Sequence, residues 1–437
     1  MRTSHEPARP AVTDPAAAGR APAARDQPGR PLPDHRRLGR DLNLFATDPL
    51  AGAGLPLWLP DGAVIRAELE RLAAEEAVRG GCQRVYTPVL AKRALFERSG
   101  HWAKFAGDMF PPMRVGEEEF VLRPANCPHH ALVYASAQRS YRDLPVRLAE
   151  LGAMFRSELS GVLGGLSRVR QINLDDTHVF CAPEQVPGEI TRAVQSVQRC
   201  YRLLGIEPAR FRLSRRDGGD GYLGGEELWA SAERHLAAVL RDLGLDYDDA
   251  PGEAAFYGPK IDVQVVDPAG REETLSTVQL DFNQPARFGL GYTGPDGGRH
   301  RPVMIHRGVL SAMERLVAFL IERDNGAFPP WLAPVQAAVL PVGEQHDEPA
   351  RRVAGRLLAA GLRAECHPAG DTLGARVRRA RHRRIPYLAV VGDRESSGDQ
   401  VALRLRDGRR LDGVSVGRLA DEMSRQAAGR HAGLGFG

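Results

Sequence analysis

Apolar positions recur at helical spacing in several stretches of the chain. In LPLWLPDGAVIRAELERLAAEEAVRGG, Ile65, Leu69 and Leu72 fall at i, i+4 and i+7 and predict a helix that stops at Gly80–Gly81. In HRGVLSAMERLVAFLIER, Val309, Met313, Leu316 and Leu320 share a face and predict a helix near 306–323. A stretch rich in Val and Gln near 184–204 predicts another. Other stretches read as extended. CQRVYTPVL predicts a short strand, with Pro88 marking an edge or a bend. Between 146 and 181, VRLAELGAMFRSE and SRVRQINLDDTHVF flank the Gly-rich LSGVLGGL, the pattern of a long antiparallel hairpin. KIDVQVVD then turns through PAGRE into TLSTVQLDF. Runs of strands around a few helices predict an antiparallel α+β domain.

Near FPPWLAPV the grammar changes. VQAAVLPV, EPARRVAGRLLAAG, LRAECHP, TLGARVRRARHRRI, PYLAVVGD and QVALRLRDG alternate strand and helix, which predicts a small separate α/β domain. The N-terminus is rich in Pro, Ala and Arg with little to bury, and predicts a disordered arm. The expected divisions are therefore the arm at 1–35, a core at 36–328, the α/β domain at 329–428 and a tail at 429–437.

Composition narrows the class. With 43% hydrophobic and 26% charged residues over 437 positions, the chain is that of a globular protein of two or three domains. No run approaches the roughly 18 apolar residues of a membrane span, and the N-terminus lacks the apolar core of a secretory signal. A net charge of +4 is compatible with a polyanionic partner without requiring one. Cys82, Cys127, Cys181, Cys200 and Cys366 are odd in number and contain no C-x-x-C pair, so a reducing cytoplasm is expected rather than a disulfide framework.

Neither G-x-x-x-x-G-K-[ST] nor G-x-G-x-x-G after a strand is present, so any nucleotide phosphates would have to be held by arginines. Arg156, Arg168, Arg170 and Arg315 are candidates. On a strand, Glu158 would face the same way as Arg156, an arginine for phosphate beside a carboxylate for a base amine. The same pair would also serve as a plain surface ion pair. Cys127, His178 and His306 are N/S-type donors from three distant places, which suits a zinc site with one open position. Buried Cys and His also pack without metal, and Cys127 with His129 and His130 would be an alternative grouping.

These stretches are not independent. LRPANCPHHALVYASAQRSYRDLPVRLAELGAMFRSELSGVLGGLSRVRQINLDDTHVF resembles the catalytic core of threonyl-tRNA synthetases, a class II aminoacyl-tRNA ligase family. RSGHW, AFYGPKIDVQV, STVQLDF and PVMIHRGVLSAMERL are similar to further parts of that core in the same order, and WLAPVQ and RRIPYLAVVGD resemble the family's anticodon-binding domain. The resemblance implies ligation of L-threonine to tRNA(Thr) through a threonyl-adenylate. It implies one zinc held by Cys127, His178 and His306, and Mg2+ accompanying ATP. Arg156, Glu158, Arg168, Gln279 and Arg315 would bind ATP, and Asp176, Tyr257 and Lys260 would line the threonine pocket. Catalytic roles would fall to Arg156, Arg315 and His101, the last assisting proton removal from the tRNA ribose. Members of the family are dimers, and CQRVYTPVL looks like their interface strand, so a homodimer is expected.

Some features depart from the family. Its members usually carry a small N-terminal domain and a hydrolytic editing domain before the core. The 35 residues here fit neither, so a compact form that mischarges serine is expected. His129, Ile172, Leu174, Leu275 and Ala312 stand where the family has a glycine, an aromatic, a glutamine, a cysteine and a serine. Drift, inhibitor resistance or a changed substrate would each account for them. An adenylating relative that loads another amino acid or a carrier protein, and a non-catalytic tRNA-binding regulator, are the competing readings.

Overall fold

The computed structural model describes residues 32–219 and 222–436, so most of the predicted arm lies outside the described residues. The end of the arm is structured, contrary to expectation. Asp34 caps helix α1 (His35–Asp41) by accepting the Arg36 N–H, and His35 is buried.

An eight-stranded sheet forms the first domain. In chain order its strands are β1 (Gln83–Arg84), β2 (Val146–Phe155), β3 (Gln171–Cys181), β4 (Arg210–Arg215), β5 (Tyr247–Pro251), β6 (Lys260–Val266), β7 (Glu272–Asp281) and β8 (Val303–Gly308). They lie in the spatial order β5-β4-β6-β7-β8-β3-β2-β1. The interior pairs are antiparallel, and only the two edge pairs are parallel. This is the expected α+β class.

Alternation along the strands divides the sheet into two faces. Ile261, Val263, Val278, Leu280, Val303, Ile305, Val179 and Cys181 point to one side. There they pack on α2 (Pro60–Arg79), α4 (Val186–Leu204), α5 (Glu226–Asp242) and α6 (Met313–Arg323). Ile65, Leu69 and Leu72 of α2 are at most 2% exposed, so truncating one to alanine should cost about 2–5 kcal/mol. The intervening positions, Glu150, Asp176, His178, His306, Gln279, Asp281 and Lys260, rise from the opposite face. Helix α3 (Cys127–Ala135) closes over that face beside Phe180 and Met304.

Three expectations are corrected. The helix predicted near 306 begins only at Met313, and its first residues are the strand β8. Val303, Met304 and Ile305 are buried on both faces of a central strand, and such a run reads equally well as helix. CQRVYTPVL contributes just Gln83 and Arg84 to the sheet, as its edge. The arms of the hairpin are shorter than expected: β2 ends at Phe155 and β3 starts at Gln171. Arg156, Glu158, Arg168 and Arg170 therefore lie on the connecting loop and not on strands.

The second domain is built on β9 (Ala337–Pro341), β10 (Ala364–Cys366), β11 (Tyr387–Val391), β12 (Gln400–Leu405) and β13 (Arg410–Ser415), in the order β10-β9-β11-β12-β13. The first three are parallel and the last two antiparallel. Helices α7 (Asp347–Ala359), α8 (Leu373–His382) and α9 (Val416–Ala428) cover it. Leu434 and Phe436 of the tail pack back onto its core. Arg363 reaches Glu68 at 2.7 Å and Arg383 reaches Asp61 at 3.3 Å, tying this domain to α2. In the arginine run of α8, Arg376 is buried and donates to the Asp371 and His367 carbonyls, whereas Arg378, Arg379 and Arg381 are exposed. Among the described residues, no helix is long and apolar enough to cross a membrane.

Candidate active site

His178 on β3 and His306 on β8 are directly opposed across an antiparallel pair, so both rings leave the sheet on one face. Cys127 opens α3 above them. The three donor atoms lie within 4.8 Å of one another and all three residues are buried.

A second layer fixes which ring nitrogens are bare. Arg123 and Thr87 donate to Glu150 at 2.9 and 2.7 Å, and His130 Nε2 lies 3.1 Å from the same carboxylate. With its Nε2 proton committed there, His130 Nδ1 accepts from His178 Nδ1 at 2.8 Å, leaving His178 Nε2 a lone pair. On the other side Asp281 takes the His306 Nε2 proton at 2.9 Å, leaving Nδ1 bare. The two bare nitrogens face each other across 2.9 Å. Lone pairs so close repel, and either a proton shared between the two nitrogens or a metal ion bound by both relieves them. Burial pushes the Cys127 thiol well above its ordinary range, so a thiolate there also requires positive charge. Two imidazoles oriented from behind and one cysteine sulfur form a donor set suited to zinc.

Around this cage stand other predicted residues. Asp176 Oδ1 is 3.7 Å from His178 Nε2, and burial raises its carboxyl to about 6. Tyr257 lies with its ring 5.1 Å from that of His306 and donates its hydroxyl to Gln279. Gln279, opposite His306 across β7 and β8, stands beside the cage, and the Arg156 charge is felt at its partner Tyr257. Lys260 is held by Asp262 at 2.6 Å. His101 takes part from the side of α3: Ser99 Oγ is 2.8 Å from its Nδ1, and its Nε2 is 3.7 Å from Cys127 Sγ. Burial lowers its pKa to about 4.

The arginines gather at the far end of the same hairpin. Arg168 pairs with Glu158 at 2.7 Å. Arg315, on α6, donates to the Thr274 carbonyl. Burial lowers the Arg315 pKa against the opposing charge of Glu273, and the charges of Arg156 and Arg168 push it down further, so the three arginines lie close enough to act on one another. Arg156 makes no side-chain hydrogen bond among the described residues, and its charge is felt at both Arg315 and His101. It stands between the two ends. Arg170 does not join them. Its guanidinium is committed to the carbonyls of Glu158 and Ala53, so it holds the loop together instead.

A family profile described as "tRNA synthetase class II core domain (G, H, P, S and T)" matches residues 111–324, and one described as "Anticodon binding domain" matches 336–426. A solved structure described as the RNA binding domain of threonyl-tRNA synthetase from Cryptosporidium parvum Iowa II is 35% identical with a TM-score of 0.86. The match covers 92% of this chain and 99% of that one. The chain belongs to the threonyl-tRNA synthetase family. The threonine--tRNA ligase of Staphylococcus epidermidis is 50% identical over 85% of this chain and 58% of that protein. Threonine--tRNA ligase 1 of Bacillus subtilis is likewise 50% identical, over 85% of this chain and 58% of its own length. The chain spans about three fifths of the length of the curated relatives it matches.

Within this threonyl-tRNA synthetase core the five departures do not share one location. Leu275 sits in the apolar core under the sheet and does not face the site. Leu174 bridges Ala312, the residue preceding α6, beside the arginines. Ile172 is half-buried on β3. His129 is buried on α3, 6.1 Å from the Phe96 ring, with neither ring nitrogen hydrogen-bonded. Sequence reasoning missed Glu150, Asp281 and the positioning role of His130. Glu150 and Asp281 share a face with His178 and His306 only through the register of β2, β3, β7 and β8, which alternation along a single strand does not supply.

Proposed function

We propose that this chain ligates L-threonine to tRNA(Thr) in two steps at this one site. In the first, a threonine carboxylate oxygen attacks the α-phosphorus of ATP, forming threonyl-adenylate while pyrophosphate leaves with Mg2+. In the second, a ribose hydroxyl at the end of the tRNA attacks the acyl carbon, losing its proton as AMP departs. The observation carrying this reading is that one hairpin joins a three-donor cage at its strands to a cluster of guanidiniums at its loop. An aminoacyl-adenylate needs both, one for each end of the molecule.

Arg156, free and placed between the two ends, is suited to the α-phosphate, where charge builds in the first step. Arg168 and Arg315 would take the outer phosphates, and Glu158 the adenine amine once Arg168 turns to the nucleotide. Asp176 would accept the threonine hydroxyl, with Tyr257 and Lys260 bounding the pocket. His101, oriented by Ser99, would receive the ribose hydroxyl. Zinc held by Cys127, His178 and His306 would supply an electrophilic centre for the amino group and hydroxyl of threonine. Valine lacks that hydroxyl, whereas serine lacks only a methyl group, worth about 1–3 kcal/mol. The exposed Arg378, Arg379 and Arg381 would track a tRNA backbone. Five free cysteines suit a reducing cytoplasm.

Amino-acid-dependent exchange of labelled pyrophosphate into ATP tests the reading. Threonine should support exchange, serine more weakly and valine least, and Cys127→Ser should lose both bound zinc and exchange. Exchange driven by a different amino acid would move the chain to the alternative substrate class. Full threonine exchange by a zinc-free Cys127→Ser chain would sink the mechanism.

A further inference from the structure

Residues 32–59, the described part of the segment ahead of α2, supply none of the cage donors or clustered arginines, yet they are fastened to the loop that joins β2 to β3. His35, the first residue of α1, receives the Leu166 N–H on its Nε2 at 3.1 Å. A backbone amide only donates, so Nε2 is the unprotonated nitrogen and Nδ1 carries the hydrogen. That hydrogen goes to Glu322 Oε1 at 2.7 Å, and the same carboxylate oxygen accepts the His35 backbone N–H at 3.1 Å. The Gly164 carbonyl, 3.2 Å from Nε2, accepts instead from the Ser167 N–H and hydroxyl at 2.9 and 2.6 Å, so it places no hydrogen on Nε2. Leu166 itself is fully buried in the main core.

Glu322 lies seven positions beyond Arg315 on α6, which returns it to the same face of the helix. One imidazole therefore joins the tip of the loop bearing Arg156, Glu158 and Arg168 to the helix bearing Arg315. The fit is close. A Cβ at Gly165, where φ is +60°, would come within 2.4 Å of His35 Nε2. The base of the loop is fastened by the same segment, through Arg170 N–H to the Gly54 carbonyl at 2.8 Å.

We propose that His35 is a positioning residue for the nucleotide end of the site: it locks the loop tip to α6 so that the arginines of both elements form one preset cluster. This rests on reading that cluster as the ATP site. With the lock released, the loop arginines must be ordered at each binding event, and that cost falls on ATP and not on threonine.

The test uses the full chain. In pyrophosphate exchange, His35→Ala should raise the KM for ATP roughly five- to tenfold, about the worth of one buried hydrogen bond. The KM for threonine and kcat should change less than about twofold. His35→Gln keeps an acceptor for the Leu166 amide and should recover most of the loss. His35→Asn keeps only a donor toward Glu322 and should not. Gly165→Ala, which crowds the imidazole from the loop side, should reproduce the ATP defect and decides the matter if His35→Ala does not fold. An unchanged KM for ATP in the folded variants, a parallel rise in both KM values, or equal rescue by Asn and Gln would each overturn the proposal. If the unaltered chain exchanges with no amino acid, the functional reading fails instead. Amide exchange at Leu166, faster in His35→Ala than in the parent, would then still report the lock, and equal rates would refute it.

Discussion

Two carboxylates decide how the cage is presented, although neither touches its interior. Asp281 fixes His306 directly, while Glu150 fixes His178 through His130. Asp281→Asn would keep the shape but could present its amide nitrogen to His306 Nε2, favouring the opposite tautomer. We expect zinc affinity to fall by about 10–100-fold, the usual range for an outer-layer partner. Competition against a chromophoric chelator measures it, and unaltered affinity would show that Asp281 does not set the tautomer. The three inner donors were readable because each sits in a distinctive stretch of sequence. Their supports were not, because an isolated Glu or Asp on a strand looks the same whether it faces solvent or a buried imidazole. Arg170 shows the converse. It lies two residues from Arg168 and matches it in type, but its guanidinium is committed to main-chain carbonyls, which spacing does not reveal.

At the level of elements, what was legible followed from periodicity. Helix α2 falls where its pattern puts it, and the hairpin forms as expected except that its arms stop at Phe155 and restart at Gln171. The predicted helix overran into β8 because Val309 falls in phase with Met313, Leu316 and Leu320, although the chain turns at Ser311, where φ is 56°. β1 has too few residues to carry any pattern. In the second domain, Glu365 on β10 illustrates a contact with a pH signature. Hydrogen bonding to His367, and also to Arg383, holds its carboxyl down at about 2 against the opposing effect of burial. A depressed carboxylate contributes stability that is complete above its unfolded pKa near 4.5 and lost as pH falls through about 2. Glu365→Gln should therefore lower the melting temperature at pH 7, with the gap from the parent narrowing steadily as the pH falls from 4.5. A gap that stayed constant with pH would assign the loss to packing instead of charge.

For the whole molecule, the edge carrying β1 is the notable surface. Tyr86 is 77% exposed just beyond β1, and Val89 and Leu90, which follow it in sequence, are exposed as well. Apolar side chains concentrated at a sheet edge favour a second copy over solvent. We expect the chain to be a homodimer by light scattering at micromolar concentration, and Tyr86→Asp to shift it toward monomer. A parent that remains monomeric under those conditions removes this assignment.

The cross-strand pairing of His178 with His306 also bears on how the chain reaches its final form. A slip of one residue between β3 and β8 would turn every side chain of one strand over and send one imidazole into the oily side of the sheet. If the cage takes up zinc as proposed, a mispaired chain could then never capture the ion. Metal uptake would thus act as an inspection step in assembly, passing only molecules whose central strands have found the correct neighbours.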